Sequence, residues 1–187
     1  MNQTTSTLWV GVDPSATSTG LAVITPELTL ATTTIRPKEL RLGARLKFIQ
    51  DELLAFVKNQ NIQRIYSCIE GPSLESTNQA DTLGQVRGVI LVTLENLGAV
   101  VTVVPPTTLK KFATRSGSAD KEDMIAAAFT KWNVVLKDDA ADAAWLAQLA
   151  YSLTTNKIDT REQLEVISGI RSPKAKPVLR FKRKPNV

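Results

Sequence analysis

The chain has 187 residues, 43% of them apolar, and a near-zero mean hydropathy: one soluble domain of ordinary size, long enough to close a real core. It contains no histidine and a single cysteine, Cys68, which excludes imidazole-based triads, HExxH zinc sites and an internal disulfide framework. The net charge of +5 is concentrated in residues 171–187, RSPKAKPVLRFKRKPNV, which hold seven Lys/Arg and no acid, so the remainder is slightly acidic.

Residues 8–13, LWVGVD, form a short apolar run ending in an acid and a Pro turn, the pattern of a central strand. Residues 20–25, GLAVIT, are a second strand, and Pro26-Glu27 turns the chain into a third, LTLATTTI, over residues 28–35. Short connections make these three an antiparallel meander. After Pro37 the period changes. Leu40, Ala44, Ile49, Leu53, Leu54 and Val57 recur at helical spacing, predicting an amphipathic helix of about five turns. Residues 64–70, RIYSCIE, return to strand and again end in a carboxylate. A long helix follows over 77–97, then a strand over 99–104, AVVTVV, closed by Pro105-Pro106. A short helix from Thr107, the polar loop TRSGSADK, a helix over 121–132 and the alanine-rich segment LKDDAADAAWLAQLA complete the order β-β-β-α-β-α-β-α-α-α.

This order predicts one α/β domain over residues 1–157, with a meander and helical crossovers in a single sheet. Residues 158–187 read as a basic, proline-containing extension, suited to phosphate backbones or another anionic surface. No apolar run is long enough to cross a bilayer, and the start MNQTTSTLWVGVD lacks the basic segment and apolar core of a signal peptide. A cytoplasmic protein is expected.

The acids are the informative residues. Asp13 and Glu70 each terminate an apolar strand expected at the centre of the sheet, where ligand sites of open α/β sheets lie. Asp138, Asp139 and Asp142 head a helix that is otherwise alanine, leucine and tryptophan. Capping by Asp138 or Asp139 explains one of them, and the helix dipole a second, but neither explains Asp142 on an alanine surface. Asp139 and Asp142 are three apart and share a helix face. Four carboxylates at one point repel one another unless a cation is present, and carboxylate oxygens are the ligands Mg²⁺ and Mn²⁺ prefer. Two such ions roughly 3.5–4 Å apart stabilise both the attacking and the leaving oxygen of a phosphodiester displacement, chemistry that needs no histidine.

Four segments occur in an order that resembles the RuvC-type Holliday-junction resolvases of the ribonuclease-H-like nuclease superfamily. They are GVDPSATSTGLAVI, IEGPSLESTNQADTLGQVRGVI, PPTTLKKFATRSGSADK and DDAADAAWLA. The first alone is weak, because the GxDxxxxxTG pattern also opens sugar kinases and actin-like ATPases; the ordered set is specific. The resemblance implies a ribonuclease-H-like fold with a five-stranded mixed sheet flanked by helices. It implies a Mg²⁺-dependent endonuclease with two ions per active site, Mn²⁺ substituting, that resolves four-way junctions by paired symmetric nicks in recombination and repair. Asp13, Glu70, Asp139 and Asp142 are then the catalytic metal ligands, with Asp138 left as the cap. Lys121 completes the catalytic set, and Arg87, Lys110, Lys111, Arg115 and Lys121 face DNA. The helix carrying QVRGVI pairs subunits in the family, so a homodimer is implied, matching the two-fold symmetry of the substrate.

The chain also departs from the family pattern. Where bacterial members carry an aromatic wedge soon after the strand-four glutamate, this sequence has GPSLES, with Leu74 the nearest bulky side chain. The usual GxG before SAxK is Arg115-Ser116-Gly117, and the basic tail has no counterpart. These departures mark a divergent member. Two other readings stay open on sequence: a ribonuclease-H-like nuclease of broader branched-DNA or RNA–DNA hybrid substrates, and a non-catalytic junction-binding architectural protein. The acid quartet argues against the latter, since a pure binder gains nothing from four acids beside phosphates.

Overall fold

A computed structural model describes residues 6–38, 41–58, 63–72 and 80–172. The described elements are β1 (Thr7–Asp13), β2 (Thr19–Ile24), β3 (Leu30–Ile35), α1 (Leu42–Lys58), β4 (Arg64–Glu70), α2 (Ala80–Asn96), β5 (Val100–Val104), α3 (Pro106–Thr114), α4 (Lys121–Trp132), α5 (Asp138–Thr155) and α6 (Arg161–Arg171). The five strands form one sheet in the order β3-β2-β1-β4-β5. The β1–β2 and β2–β3 pairs are antiparallel, and β1–β4 and β4–β5 are parallel. The mixed sheet with an antiparallel meander is as the sequence predicts.

The two-residue period of the strands separates two cores. Leu8, Val10 and Val12 of β1, Leu21 and Val23 of β2, and Ile65 and Ile69 of β4 bury against α1 and α2. Trp9, Ala22, Ile24 and Cys68 face the opposite way and pack with α5. By the same alternation Gly11, Asp13 and Glu70 belong to the α5 face. The parallel register that pairs Val12 with Ile69 leaves Asp13 and Glu70 side by side at the strand ends.

Close approach fixes the direction of α5. A Cβ on Gly11 would stand 1.9 Å from the Ala143 carbonyl oxygen, and one on Gly20 would stand 2.0 Å from that of Asp139. At the far end, Trp9 Nε1 donates to Thr154 Oγ1 at 2.7 Å. The helix therefore runs antiparallel to β1, and its acidic first turn meets the end of β1 that carries Asp13. Ala140, Ala141, Ala143, Ala144 and Ala147 are buried along this contact, and small side chains are what lets the helix lie so near the sheet.

Two boundaries differ from the sequence reading. Strand β3 begins at Leu30 rather than 28, because Leu28 adopts a left-handed φ of 61° and its N–H donates to Thr25 O at 2.9 Å, extending the hairpin loop. The predicted starts of α1 at Leu40 and α2 at residue 77 lie outside the described residues, as do Leu74 and residues 173–187. The packed body also runs past the expected boundary at 157. Helix α6 buries Val166 and Ile167, Gln163 Nε2 donates to Phe112 O at 3.3 Å, and Arg171 donates to the Leu153 carbonyl at the end of α5. Val166, Ile167 and Ile170 recur at helical spacing along it, so this buried face is legible once the segment is read as a helix rather than as part of a basic tail. Among the described residues, no helix is long and apolar enough to cross a membrane.

Because the atoms facing Gly11 are backbone, they cannot rotate away. Gly11→Ala is expected to cost about 3 kcal/mol or more and to lower the melting temperature by roughly 10 °C, read by thermal unfolding. Gly43→Ala, with nothing within 4 Å of its new methyl, is expected to be neutral or slightly stabilising.

Candidate active site

Asp13, Glu70, Asp139 and Asp142 are brought together by three elements. Asp13 ends β1, Glu70 ends β4, and Asp139 and Asp142 face them from the first turns of α5. The Asp13 and Glu70 carboxyl groups lie within hydrogen-bonding reach of each other. Burial raises the Asp13 pKa well above the usual aspartate range, and the charges of Glu70, Asp142 and Asp139 push it the same way. Glu70 is raised by burial, partly opposed by its Asp13 hydrogen bond and by Arg87 and Lys110. Burial, then Glu70 and Asp138, bring Asp142 to about 7. Its Oδ1 is buried without a hydrogen-bond partner. Asp139 is better accommodated: Ser18 Oγ donates to its Oδ2, and an Arg36 guanidinium nitrogen lies 3.8 Å from the same oxygen.

Asp138 does not cap the helix. The N-cap is Lys137, whose side chain makes no capping bond, and Asp138 is the first helical residue. Its carboxylate instead takes Lys121 Nζ, and that bond, followed by the attraction of the Asp138 charge, raises the lysine pKa. The capping at α4 comes from Asp120, which exchanges bonds with Asp123 and leaves Lys121 free to lean toward the acids.

The predicted DNA-facing cations divide into two groups. Lys121 and Lys110 lie close enough to lower the Asp142 pKa, and Arg87 Nε donates to the Glu70 carbonyl at 3.1 Å, so these three border the acid cluster. Lys111 and Arg115 turn to α6: Lys111 Nζ is 2.9 Å from Glu165 and Arg115 Nε is 4.0 Å from Glu162. Arg115 also takes the left-handed C-cap position of α3, φ 72°, a place that favours glycine.

As the side chains stand, no group of three or more acids among the described residues is arranged to hold a metal ion. The donor chemistry nevertheless fits a hard divalent cation. The donors are all carboxylate oxygens, one of them is an unpartnered buried Oδ1, and burial and mutual repulsion resist their charged forms, which a cation would stabilise.

Comparison with known proteins gives this cluster a context. The family profile "Crossover junction endodeoxyribonuclease RuvC" matches residues 9–150. The chain belongs to the RuvC family. It is 32% identical to the crossover junction endodeoxyribonuclease RuvC of Zymomonas mobilis over 126 residues, 64% of this chain and 74% of that one. With the RuvC of a Roseiflexus species it is 28% identical over 153 residues, 76% and 89% of the respective chains. The Thermus thermophilus RuvC structure superposes with a TM-score of 0.64 at 18% identity, covering 82% of this chain and 98% of that one. The T. thermophilus RuvC in complex with Holliday junction substrate gives 0.65 at 19%, covering 79% and 94%. The ribonuclease-H-like fold is thereby shared, and the chain is a nuclease of this family. All four clustered acids lie within the RuvC match, whereas α6 lies beyond it.

Sequence reasoning did not single out Ser18 or Arg36. Both follow from the meander: the antiparallel register ends at Thr19–Ile35, so the next residues on either strand are Ser18 and Arg36. Register is decided by pairing, which a single strand does not display.

The electrostatics have a consequence for stability. The folded-state pKa values of Asp13, Glu70 and Asp142 are raised, so their contribution is fully present below the unfolded-state values and is lost as pH rises through the folded ones, near 7 for Asp142. In EDTA the melting temperature is expected to fall between pH 5 and pH 8, and Asp142→Asn to raise it at pH 8 by roughly 5 °C. A divalent cation should flatten the profile; a flat profile in EDTA would contradict these raised values.

Proposed function

We infer that this RuvC-family nuclease resolves four-way DNA junctions by phosphodiester hydrolysis at the acid cluster, using two Mg²⁺ ions held by Asp13, Glu70, Asp139 and Asp142. The observation that carries the reading is the convergence of four carboxylates from β1, β4 and α5 around an unpartnered buried oxygen, within the segment that matches the family. When bound, the cations would supply Lewis-acid stabilisation of the charge that develops on the attacking and leaving oxygens. Mn²⁺ has the same preference for carboxylate oxygen and is expected to substitute.

The chain's own residues do the rest. Ser18 orients Asp139, and the close packing of α5 on Gly11 and Gly20 holds Asp139 and Asp142 against the sheet. Lys110, Lys121 and Arg87 border the cluster and offer charge to a phosphate backbone. Lys121 leaves Asp138 for the substrate at little cost, because the pair is exposed. Lys111 and Arg115 are committed to α6 and serve DNA only at the margin, by exchanging Glu165 and Glu162 for phosphate.

Two symmetric cuts call for two active sites, and α2 offers a surface for pairing with a second copy. Val92 is 58% exposed on that helix, and a Cβ on Gly84 or Gly88 would meet nothing within 4 Å. Gly84 and Gly88 are four residues apart, on one face, where small residues let two helices approach closely. Val92 continues that row by a further turn. A homodimer built across α2 follows.

Two experiments test these statements. Asp13→Asn and Glu70→Gln are each expected to reduce cleavage of a fixed four-way junction in Mg²⁺ by at least ~10³-fold, while junction binding in EDTA survives; unchanged cleavage, or lost binding in a folded variant, would count against the assignment. Val92→Glu is expected to turn the dimer into a monomer by light scattering, and a dimer of unchanged strength would place the interface elsewhere.

A further inference from the structure

The turn between β1 and β2 is locked by its own hydroxyls. Ser15 Oγ accepts from the N–H groups of Thr17 and Ser18, each at 3.3 Å. Thr19 Oγ1 donates to the Ser15 carbonyl at 2.7 Å and accepts from the Ser15 N–H at 3.1 Å. This network sets the position from which Ser18 donates to Asp139 Oδ2. Arg36 reaches the same oxygen from the end of β3, at 3.8 Å, with its side chain 57% exposed. The contact is long and solvated, the kind of pair that contributes little to stability. A guanidinium forms stronger, two-pronged bonds with a phosphate.

One oxygen cannot serve a guanidinium and a divalent cation equally well, since each lowers the negative charge available to the other. Ser18 holds the carboxylate in place, so the group free to leave is Arg36. Lys121 stands in the same relation to Asp138, one residue earlier in α5. The two cations thus flank the first turn of the helix from opposite partners, β3 and α4.

We propose that Arg36 is a substrate-contacting residue of the junction-cutting reaction, resting on Asp139 in the free protein and moving to a phosphate of the DNA when a cation takes its place. The proposal rests on the reading of Asp139 as a metal ligand. It assigns Arg36 opposite effects on the two ligands of the site: it competes with the cation and it attracts the DNA. A purely structural residue would weaken both, and a solvated surface residue would alter neither.

The experiment uses the full chain. Mn²⁺ binding is measured by calorimetry without DNA, and four-way-junction binding is measured by gel shift across a range of monovalent salt at saturating Ca²⁺, a divalent cation that takes carboxylate oxygens and so releases Arg36. Arg36→Gln is expected to bind Mn²⁺ several-fold more tightly. It should bind the junction roughly 3–10-fold more weakly, with a log–log salt slope shallower by about 0.9, the loss of one phosphate contact. Arg36→Lys should restore most of the slope. Unchanged affinities, or affinities that fall together, overturn the proposal. If the wild-type protein neither binds Mn²⁺ nor cuts the junction, the reading of the site fails and this proposal with it. If the wild type does both and Arg36→Gln matches it in both, this proposal alone fails.

Discussion

The structure depends on how near α5 lies to the sheet. Where β1 and β2 would ordinarily present side chains, Gly11 and Gly20 present none, and the backbone of α5 occupies the space. The alanines on the facing surface of the helix complete the fit. This contact does two things at once. It closes the larger of the two cores over Trp9, Cys68 and Trp145, and it carries an aspartate-bearing helical turn to the ends of two strands that themselves finish in acids. A looser packing would leave Asp13 and Glu70 as strand-end acids in water, without the acids of α5 beside them.

The cost of that convergence is electrostatic. Asp13, Glu70 and Asp142 resist ionisation because burial and mutual repulsion act together. The cost is offset in part by cations of the chain itself: Lys121 on Asp138, Arg36 near Asp139, Arg87 beside Glu70. A site so arranged is poised rather than relaxed. On the proposed reading, divalent ions and a phosphate backbone together would satisfy both sets of charges, the ions by meeting the carboxylates and the phosphates by taking the released side chains.

Helix α6 redistributes the remaining basic surface. Its Glu162 and Glu165 take up Arg115 and Lys111, two residues whose sequence context places them among DNA-facing cations. The segment lies beyond the part of the chain that matches the family, yet it packs as core through Val166 and Ile167 and ties the end of α5 through Arg171. Charge counted along the sequence therefore overstates the cation density next to the acids: Lys110, Lys121 and Arg87 border the cluster, and Lys111 and Arg115 are engaged elsewhere.

The sequence by itself determined the strands, from their two-residue alternation, and the mixed order of the sheet, from short connections followed by helical crossovers. It also singled out Asp13, Glu70 and the helix-head acids Asp138, Asp139 and Asp142, because acids in or at the ends of apolar segments are costly unless something binds them; the resemblance to the family then selected Asp139 and Asp142 among the last three. Tertiary structure alone decided the rest. Asp138 could be a cap or a charge partner on sequence, and the proximity of Lys121 from α4 made it the latter. Ser18 and Arg36 joined the site only once β2 and β3 paired in the register ending at Thr19–Ile35. Helix α6 found the partner for its apolar face in α3, which the segment alone does not name. Local pattern records what each segment prefers to bury; it does not record which distant side chain will stand beside it, because that is set by packing among segments far apart in the chain.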